Sequence, residues 1–187
     1  MIVAFRVDAS IQIGTGHVMR CITLAKGLSK GGAKCFFVTR LLKGNLIDLI
    51  EASGFACLRL PAPPGLECHV VADAIGDEIG WLRGHWDTDA METLDALFGL
   101  EVDWLIVDHY SFDVCWERSV TRNGTRLMVV DDLADRQHFC QLLLDQNVGR
   151  TPACYVDLVP DECKILAGSD FALLDGLFQD LRPLCLS

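Results

Sequence analysis

The chain has 187 residues, of which 51% are hydrophobic, and it carries a formal net charge of −10. This length and composition predict a folded domain with a substantial core and exclude a disordered chain. The acidic balance, without any Lys/Arg stripe, argues against nucleic acid or an anionic membrane surface as a partner. The chain shows neither a signal peptide nor an apolar run near the roughly 18 residues of a membrane span, so we expect a cytoplasmic protein.

Short apolar runs alternate with longer amphipathic runs. The pattern predicts strands over residues 1–7, 33–40, 55–60, 102–110, 125–135 and 139–147. It predicts helices over residues 17–30, 44–54, 87–100 and 115–124. Asp87 or Thr88 is expected to cap the third of these helices, and residues 68–84 fit either a helix or a loop.

Strands separated by helices predict an open, mainly parallel α/β sheet of Rossmann-like type with flanking helices. Ligands bind such sheets beyond the carboxyl ends of the strands. That rule selects the polar residues at the predicted strand ends: Asp8, Ser10, Thr39, Arg40, Asp108, His109, Tyr110, Asp131, Asp132 and residues 145–147. Several acids at one edge suit a sugar or another hydroxyl-rich ligand, although carboxylates after a strand also cap helices and loops.

The first strand is followed by "IQIGTGHVMRC", residues 11–21. A dinucleotide fingerprint needs a third glycine where Met19 stands, although Arg40 after the second strand would suit the 2′-phosphate of NADP. A P-loop is excluded because the chain has no G-K-[ST]. His17 lies near a helix N-terminus, which favours a neutral imidazole able to accept a proton. A packed structural histidine fits the same spacing, and both interpretations stay open.

Nine cysteines are scattered along the chain without a C-x-x-C pair. This spacing disfavours a zinc site or a disulfide framework. We expect the thiols to be reduced and structural, as in most cytoplasmic proteins.

The stretch "FRVDASIQIGTGHVMRCITLA" resembles the opening of the UDP-sugar hydrolases of pseudaminic-acid biosynthesis. These enzymes release UDP from UDP-2,4-diacetamido-2,4,6-trideoxy-β-L-altropyranose. Their motif R-x-D-x-S-x-x-I-G-x-G-H-x-x-R is matched by Arg6, Asp8, Ser10, Ile13, Gly14, Gly16, His17 and Arg20. The similarity continues at "LIVDHY", "VVDDLADR" and "LLLDQN", and it covers roughly residues 3–175.

The resemblance implies a fold similar to the N-terminal half of a GT-B glycosyltransferase. Residues 1–165 would form the sugar-side domain, and residues 166–187 would lead into a nucleotide-binding domain that this sequence does not contain. Asp175 stands in that lead-in where the family more often has arginine. The partners expected are therefore a UDP-sugar and either a C-terminal domain or a second copy of the chain.

For the reaction, the resemblance implies that His17 is the general base, that C–O cleavage proceeds with inversion, and that no cofactor or metal is needed. The substrate-binding residues it implies are Arg6, Asp8, Ser10, Gly14, Thr15, Gly16, Arg20, Asp108, His109, Tyr110, Asp131, Asp132 and Asn147. Half of a GT-B glycosyltransferase and a non-catalytic sugar-binding module are the alternatives. We expect little UDP-sugar hydrolysis from these 187 residues alone.

Overall fold

A computed structural model describes residues 1–64, 78–121, 124–176 and 178. These residues form one sheet of seven parallel strands in the order β3-β2-β1-β4-β5-β6-β7. The strands are β1 (Ile2–Val7), β2 (Lys34–Arg40), β3 (Ala56–Leu60), β4 (Trp104–Asp108), β5 (Arg126–Val130), β6 (Leu142–Asp145) and β7 (Lys164–Ala167). The predicted open, parallel α/β sheet is confirmed.

Helices connect most of the strands. They are α1 (Gly16–Lys30), α2 (Ile47–Ala52), α3 (Glu78–Gly84), α4 (Trp86–Ala96) and α5 (Val114–Val120), with short 3₁₀ turns at Pro152–Tyr155 and Ser169–Phe171. Within the described ranges, no helix combines the length and apolar character needed to cross a bilayer.

Alternating strand residues supply two cores, one on each side of the sheet. On one side, Phe5 and Ile106 pack with Val18 of α1. On the other side, Val107 packs with Trp116 of α5. The central strands are covered on both faces, which holds their carboxyl ends in fixed positions.

The strand order reverses direction at β1, which lies between β2 and β4. Val7 at the end of β1 pairs with Asp108 at the end of β4. In open α/β sheets the crevice at such a switch point is the usual ligand site. The residues that follow β1 and β4 are therefore the first candidates for a ligand-binding site.

Three details differ from the sequence-based expectation. The helix expected to be capped by Asp87 or Thr88 begins at Trp86 with His85 as its cap residue, because its first turn extends further toward the N-terminus. The chain after residue 163 adds a seventh strand, which four residues of mixed pattern did not reveal. Residue 165, after which a domain boundary is predicted, lies within this strand, and the division into domains stays a prediction. The helix predicted over residues 115–124 ends earlier, at Val120, although residues 122–123 lie outside the described residues. Of the ambiguous stretch 68–84, residues 68–77 lie outside the described residues and the remainder forms α3.

Candidate functional site

A histidine and a carboxylate meet at the carboxyl edge of the central strands. His17 lies in the first turn of α1, and Asp108 ends β4. Nδ1 of His17 is 2.5 Å from Oδ1 of Asp108, and the side chains are 6% and 0% exposed. The helix that follows β1 thus places His17 against the end of β4, the strand next to β1 in the sheet.

Arg20 holds Asp108 from the same face of α1 as His17, since residues three apart on a helix are neighbours. Its guanidinium donates to both carboxylate oxygens of Asp108, from Nε at 2.5 Å and from Nη2 at 2.6 Å. Its Nη1 donates to Oδ2 of Asp132 at 3.1 Å. Arg20 therefore links the carboxyl ends of β4 and β5.

The charge state of Asp108 fixes the tautomer of His17. Burial by itself raises the pKa of Asp108, but hydrogen bonds from Arg20 and His17 outweigh it and hold this pKa below its usual range. An ionised carboxylate only accepts hydrogen bonds, so the contact places the imidazole proton on Nδ1. The lone pair is then on Nε2. A neutral imidazole oriented in this way by a carboxylate is suited to act as a general base.

A cavity of about 580 Å³ has His17, Arg20, Tyr110 and Asp132 in its wall. The Tyr110 ring packs edge-to-face on His17 with the centroids 4.5 Å apart, and its hydroxyl donates to Oδ2 of Asp132 at 2.9 Å. Burial and this hydrogen bond raise the pKa of Tyr110 to about 12, so the phenol stays protonated near neutral pH. The charged side chains in this wall are one cation, Arg20, and two carboxylates, Asp132 and Asp175. This balance of charge suits the hydroxyl and amide groups of a ligand better than a free phosphate.

The loop between β1 and α1 is shaped by Ser10 and Gly14. Oγ of Ser10 accepts from the backbone N–H groups two and three positions later, at 3.1 and 3.0 Å. The carbonyl oxygen of Ser10 accepts from the N–H of Gly14 at 2.8 Å, and Gly14 has a φ of +83°, which favours glycine. Thr15 and Gly16 follow as exposed residues, and Gly16 borders the cavity. Ser10 is therefore a structural residue of the loop.

Arg6 and Asp8 belong to a buried ion network on the other face of the sheet. Arg6 reaches Asp8 at 2.7 Å and Asp89 at 2.5 Å. Arg40 contacts the same oxygen of Asp89 at 2.6 Å and Glu92 at 2.6 Å. Arg6 and Asp8 are 0% exposed, so this structure places them inside the protein and away from the wall of the His17 cavity. In this structure they support the ends of the strands, and direct contact of Arg6 or Asp8 with the substrate stays a prediction.

The same ion network argues against the binding of NADP, for which Arg40 was the candidate ligand of the 2′-phosphate. Both terminal nitrogens of Arg40 are engaged, one with Asp89 and Glu92 and the other with the carbonyl oxygen of Pro61 at 2.7 Å. A guanidinium buried in this way is not available to hold a 2′-phosphate.

His109 faces the ion network, because successive strand residues point to opposite faces of a sheet. Its Nδ1 accepts from the N–H of Ser111 at 3.0 Å, and its Nε2 lies 3.4 Å from Oδ2 of Asp8. The ring stacks on Phe112 with the centroids 4.3 Å apart. Burial lowers the pKa of His109, which favours the neutral ring. These contacts make His109 a packing residue behind the site.

The two predicted site residues not yet described, Asp131 and Asn147, lie after β5 and β6. Asp131 accepts from the N–H of Ala134 at 2.8 Å and from the Tyr155 hydroxyl at 3.0 Å, so it anchors the turn after β5. Asn147 is exposed, and its neighbour Gln146 borders the cavity instead. Among the acids after β5, Asp132 is therefore the one in the cavity wall.

The segment after β7 forms part of the cavity wall, which the sequence analysis did not foresee. Leu173, Leu174, Asp175 and Phe178 of this segment were not among the predicted site residues, whereas the wall residue Gln146 belongs to the strand-end group 145–147. The N–H of Leu173 donates to Oε1 of Gln146 at 2.9 Å, and Asp175 lies 3.8 Å from Lys26 of α1. An apolar run such as "FALL" gives no local sign of where the chain turns after a strand, so no motif pointed to these positions.

Comparison with known proteins gives one close match in sequence. The UDP-2,4-diacetamido-2,4,6-trideoxy-beta-L-altropyranose hydrolase of Campylobacter jejuni is 29% identical over 184 residues. The alignment covers 97% of this chain and 55% of the curated protein, so the chain spans about half the length of that relative. No protein-family model matches the chain.

Two solved structures match parts of this chain. LpCGTa in complex with UDP gives a TM-score of 0.46 at 18% identity, over 70% of this chain and 30% of that one. The calicheamicin glycosyltransferase CalG4 gives a TM-score of 0.49 at 17% identity, over 81% and 34%. The resemblance found in the motifs is thus confirmed as a likeness to the Campylobacter hydrolase along nearly the whole of this chain.

Proposed function

We propose that this chain is the sugar-side, catalytic-base domain of an enzyme that hydrolyses a UDP-linked diacetamido-trideoxy-altrose to the free sugar and UDP. The observation that carries the proposal is the buried His17–Asp108 pair, 2.5 Å apart, whose histidine lies in the wall of a cavity at the sheet's switch point. The likeness to the Campylobacter hydrolase over 97% of the chain supports the choice of substrate.

In the proposed reaction, Nε2 of His17 takes a proton from a water molecule as the water oxygen bonds to the anomeric carbon. The bond between that carbon and the UDP oxygen breaks, and its electron pair leaves with UDP. Attack from the face opposite the leaving group inverts the anomeric centre. Asp108 keeps the imidazole oriented and stabilises the imidazolium that forms.

We also propose how the two ends of the substrate are held. The Tyr110 hydroxyl, Asp132 and the loop at Gly16 border the same cavity as His17 and supply groups for sugar hydroxyls and acetamido groups. The UDP end would be held by a second domain or by a second copy of the chain, since the curated relative is roughly twice as long as the part that aligns. Residues 166–187 would lead toward that domain.

Single-turnover hydrolysis tests the proposal, with the protein in excess over the UDP-sugar. His17→Gln should slow UDP release about 100- to 10,000-fold, the usual contribution of a positioned general base. His85→Gln is the matched control, because His85 lies at the start of α4 and not in the cavity wall. In ¹⁸O-labelled water the label should appear on the sugar and not on UDP, and NMR of the fresh product should show the inverted anomer.

If His17→Gln releases UDP at the normal rate, the assignment of the base is wrong. Sugar transfer that depends on an added acceptor, without release into water, would support the glycosyltransferase alternative. If the chain alone turns over too slowly to measure, titration with the free sugar tests the site directly. The imidazole NMR signals of His17 should then shift while those of His85 stay in place.

A further inference from the structure

Two cysteines meet at the amino-terminal edge of the sheet, opposite the His17 site. Cys140 lies two residues before β6, and Cys163 immediately precedes β7. Their Sγ atoms are 3.6 Å apart, among seven cysteines that the structure describes. The parallel pairing of β6 with β7, in which Leu142 faces Lys164, brings the two thiols together.

The two thiols differ in access and in acidity. Cys140 is 1% exposed, whereas Cys163 is half-buried. The hydrogen bond between the thiols lowers the pKa of Cys163, and the same contact, together with burial, raises the pKa of Cys140. Cys163 is therefore the thiol that a small oxidant reaches and that ionises first, with Cys140 beside it as the resolving thiol.

We propose that Cys140 and Cys163 are a modification site that forms a reversible disulfide when the protein meets a hydroperoxide. The Cys163 thiolate attacks one peroxide oxygen, the O–O bond breaks, and a sulfenic acid and water form after proton uptake. The Cys140 sulfur then attacks the sulfenic sulfur, and a second water leaves. In total, two thiols lose two electrons and two protons, and one hydrogen peroxide is reduced to two waters.

The geometry requires little movement. A disulfide bond is about 2 Å long, and rotation of the half-buried Cys163 side chain can bring the sulfurs from 3.6 Å toward that distance. The bond would join two strands that already pair, so the sheet itself holds the thiols in place.

The cross-link would stabilise the last strand of the sheet. β7 pairs with β6 at the edge of the sheet, and most of its residues are only half-buried. The chain leaves β7 toward residues 173–175, which border the His17 cavity. Oxidation would therefore stabilise β7, the strand that leads into this part of the cavity wall.

Peptide mapping of the peroxide-treated, then alkylated, protein under non-reducing conditions tests the inference. Trypsin cuts after Arg136, Arg150 and Lys164, so Cys140 falls in one peptide, while Cys154 and Cys163 share the next. We expect these two peptides to be joined with the loss of two hydrogens. The link should persist in Cys154→Ser and disappear in Cys163→Ser.

Thermal unfolding gives a second readout that does not depend on mapping. Closing this loop by a disulfide should raise the melting temperature by roughly 5 to 10 °C, and dithiothreitol should reverse the rise. Cys163→Ser should show no such rise. Oxidation of Cys163 to sulfinic acid without a link to Cys140, or a link that survives in Cys163→Ser, would overturn the inference.

Discussion

At the scale of single residues, Asp108 organises the candidate site. It accepts hydrogen bonds from His17 and Arg20 and a weaker contact from the Cys21 thiol at 3.7 Å. Because Asp108 is buried and ionised, it sets both the orientation and the tautomer of His17. Removal of the negative charge of Asp108 should therefore lower the rate of the proposed reaction more than it weakens the binding of the sugar.

Replacement of Asp108 by asparagine tests this role. Asp108→Asn keeps the size of the side chain but allows its amide to donate to Nδ1, which moves the imidazole proton to Nε2. If His17 is the base, single-turnover UDP release should fall by about 1,000- to 10,000-fold with little change in sugar binding. The exposed Asp135→Asn is the matched control and should leave the rate unchanged. Equal loss of rate in both variants would contradict the assignment.

Asp89 has a comparable role in the buried ion network, where it contacts Arg6 and Arg40. Burial by itself raises the pKa of Asp89, but the two arginines outweigh it and hold this pKa below its usual range. A depressed pKa in the folded state stabilises the protein above the unfolded-state pKa of about 3.9. That stabilisation is lost as the pH falls through the folded-state value.

Asp89→Asn should therefore lower the free energy of unfolding by about 3 to 5 kcal/mol at pH 7, because it leaves two buried arginines short of a carboxylate. The difference between wild type and variant should shrink as the pH falls below about 4, because the Asp89 carboxylate then protonates in the unfolded state before it does so in the folded state. Urea unfolding at pH 7, 5 and 3 measures this. A difference that stays constant over that range would show that the charge of Asp89 is not the cause.

At the scale of elements, the loop from β1 to α1 uses its two glycines differently. Gly14 has a φ of +83°, whereas Gly16 begins the helix. A Cβ at either position would meet nothing within 4 Å. The structure therefore requires glycine at position 14 for its backbone conformation, and it tolerates alanine at position 16 unless a ligand approaches there.

Two alanine variants separate these roles. Gly14→Ala should cost about 1 to 2 kcal/mol of unfolding free energy, because a Cβ disfavours the left-handed conformation. Gly16→Ala should leave stability unchanged or slightly higher, since alanine is the better helix former. If the sugar lies against Gly16, this variant should nevertheless bind the free sugar more weakly in a calorimetric titration. Unchanged sugar affinity in Gly16→Ala would place the sugar elsewhere in the cavity.

At the scale of the whole molecule, the sheet order predicts an uneven distribution of stability. β1 and β4 are central, paired on both sides and buried, whereas β3 and β7 are at the edges and partly exposed. Amides of central strands exchange mainly through global unfolding, and edge strands open more easily.

Hydrogen exchange followed by mass spectrometry measures this gradient. Peptides from β1 and β4 should exchange most slowly, and those from β3 and β7 should exchange fastest among the strands. After peroxide treatment, the β7 peptide should become more protected if the Cys140–Cys163 disulfide forms. Uniform protection across the sheet would contradict the predicted gradient.

Much of the fold follows from local patterns in the sequence. β1, β2, β4 and α1 were predicted close to their observed ranges, because a buried strand and an amphipathic helix each reveal themselves within a few residues. β7 was missed because its four residues, "KILA", carry too little pattern and gain their strand conformation by pairing with β6. The start of α4 was misplaced because capping residues are also common inside a first turn.

By itself, the sequence determined the class of fold, the carboxyl edge as the place for a site, and His17 as its leading candidate. Only the tertiary structure decided which acid serves His17, since Asp108 is 91 positions away and is brought near by strand order. It also decided that Asp132 lies in the cavity wall, whereas Asp8 lies in the interior. The physical reason is that periodicity is a local property, whereas the partner and the burial of a side chain depend on every element packed around it.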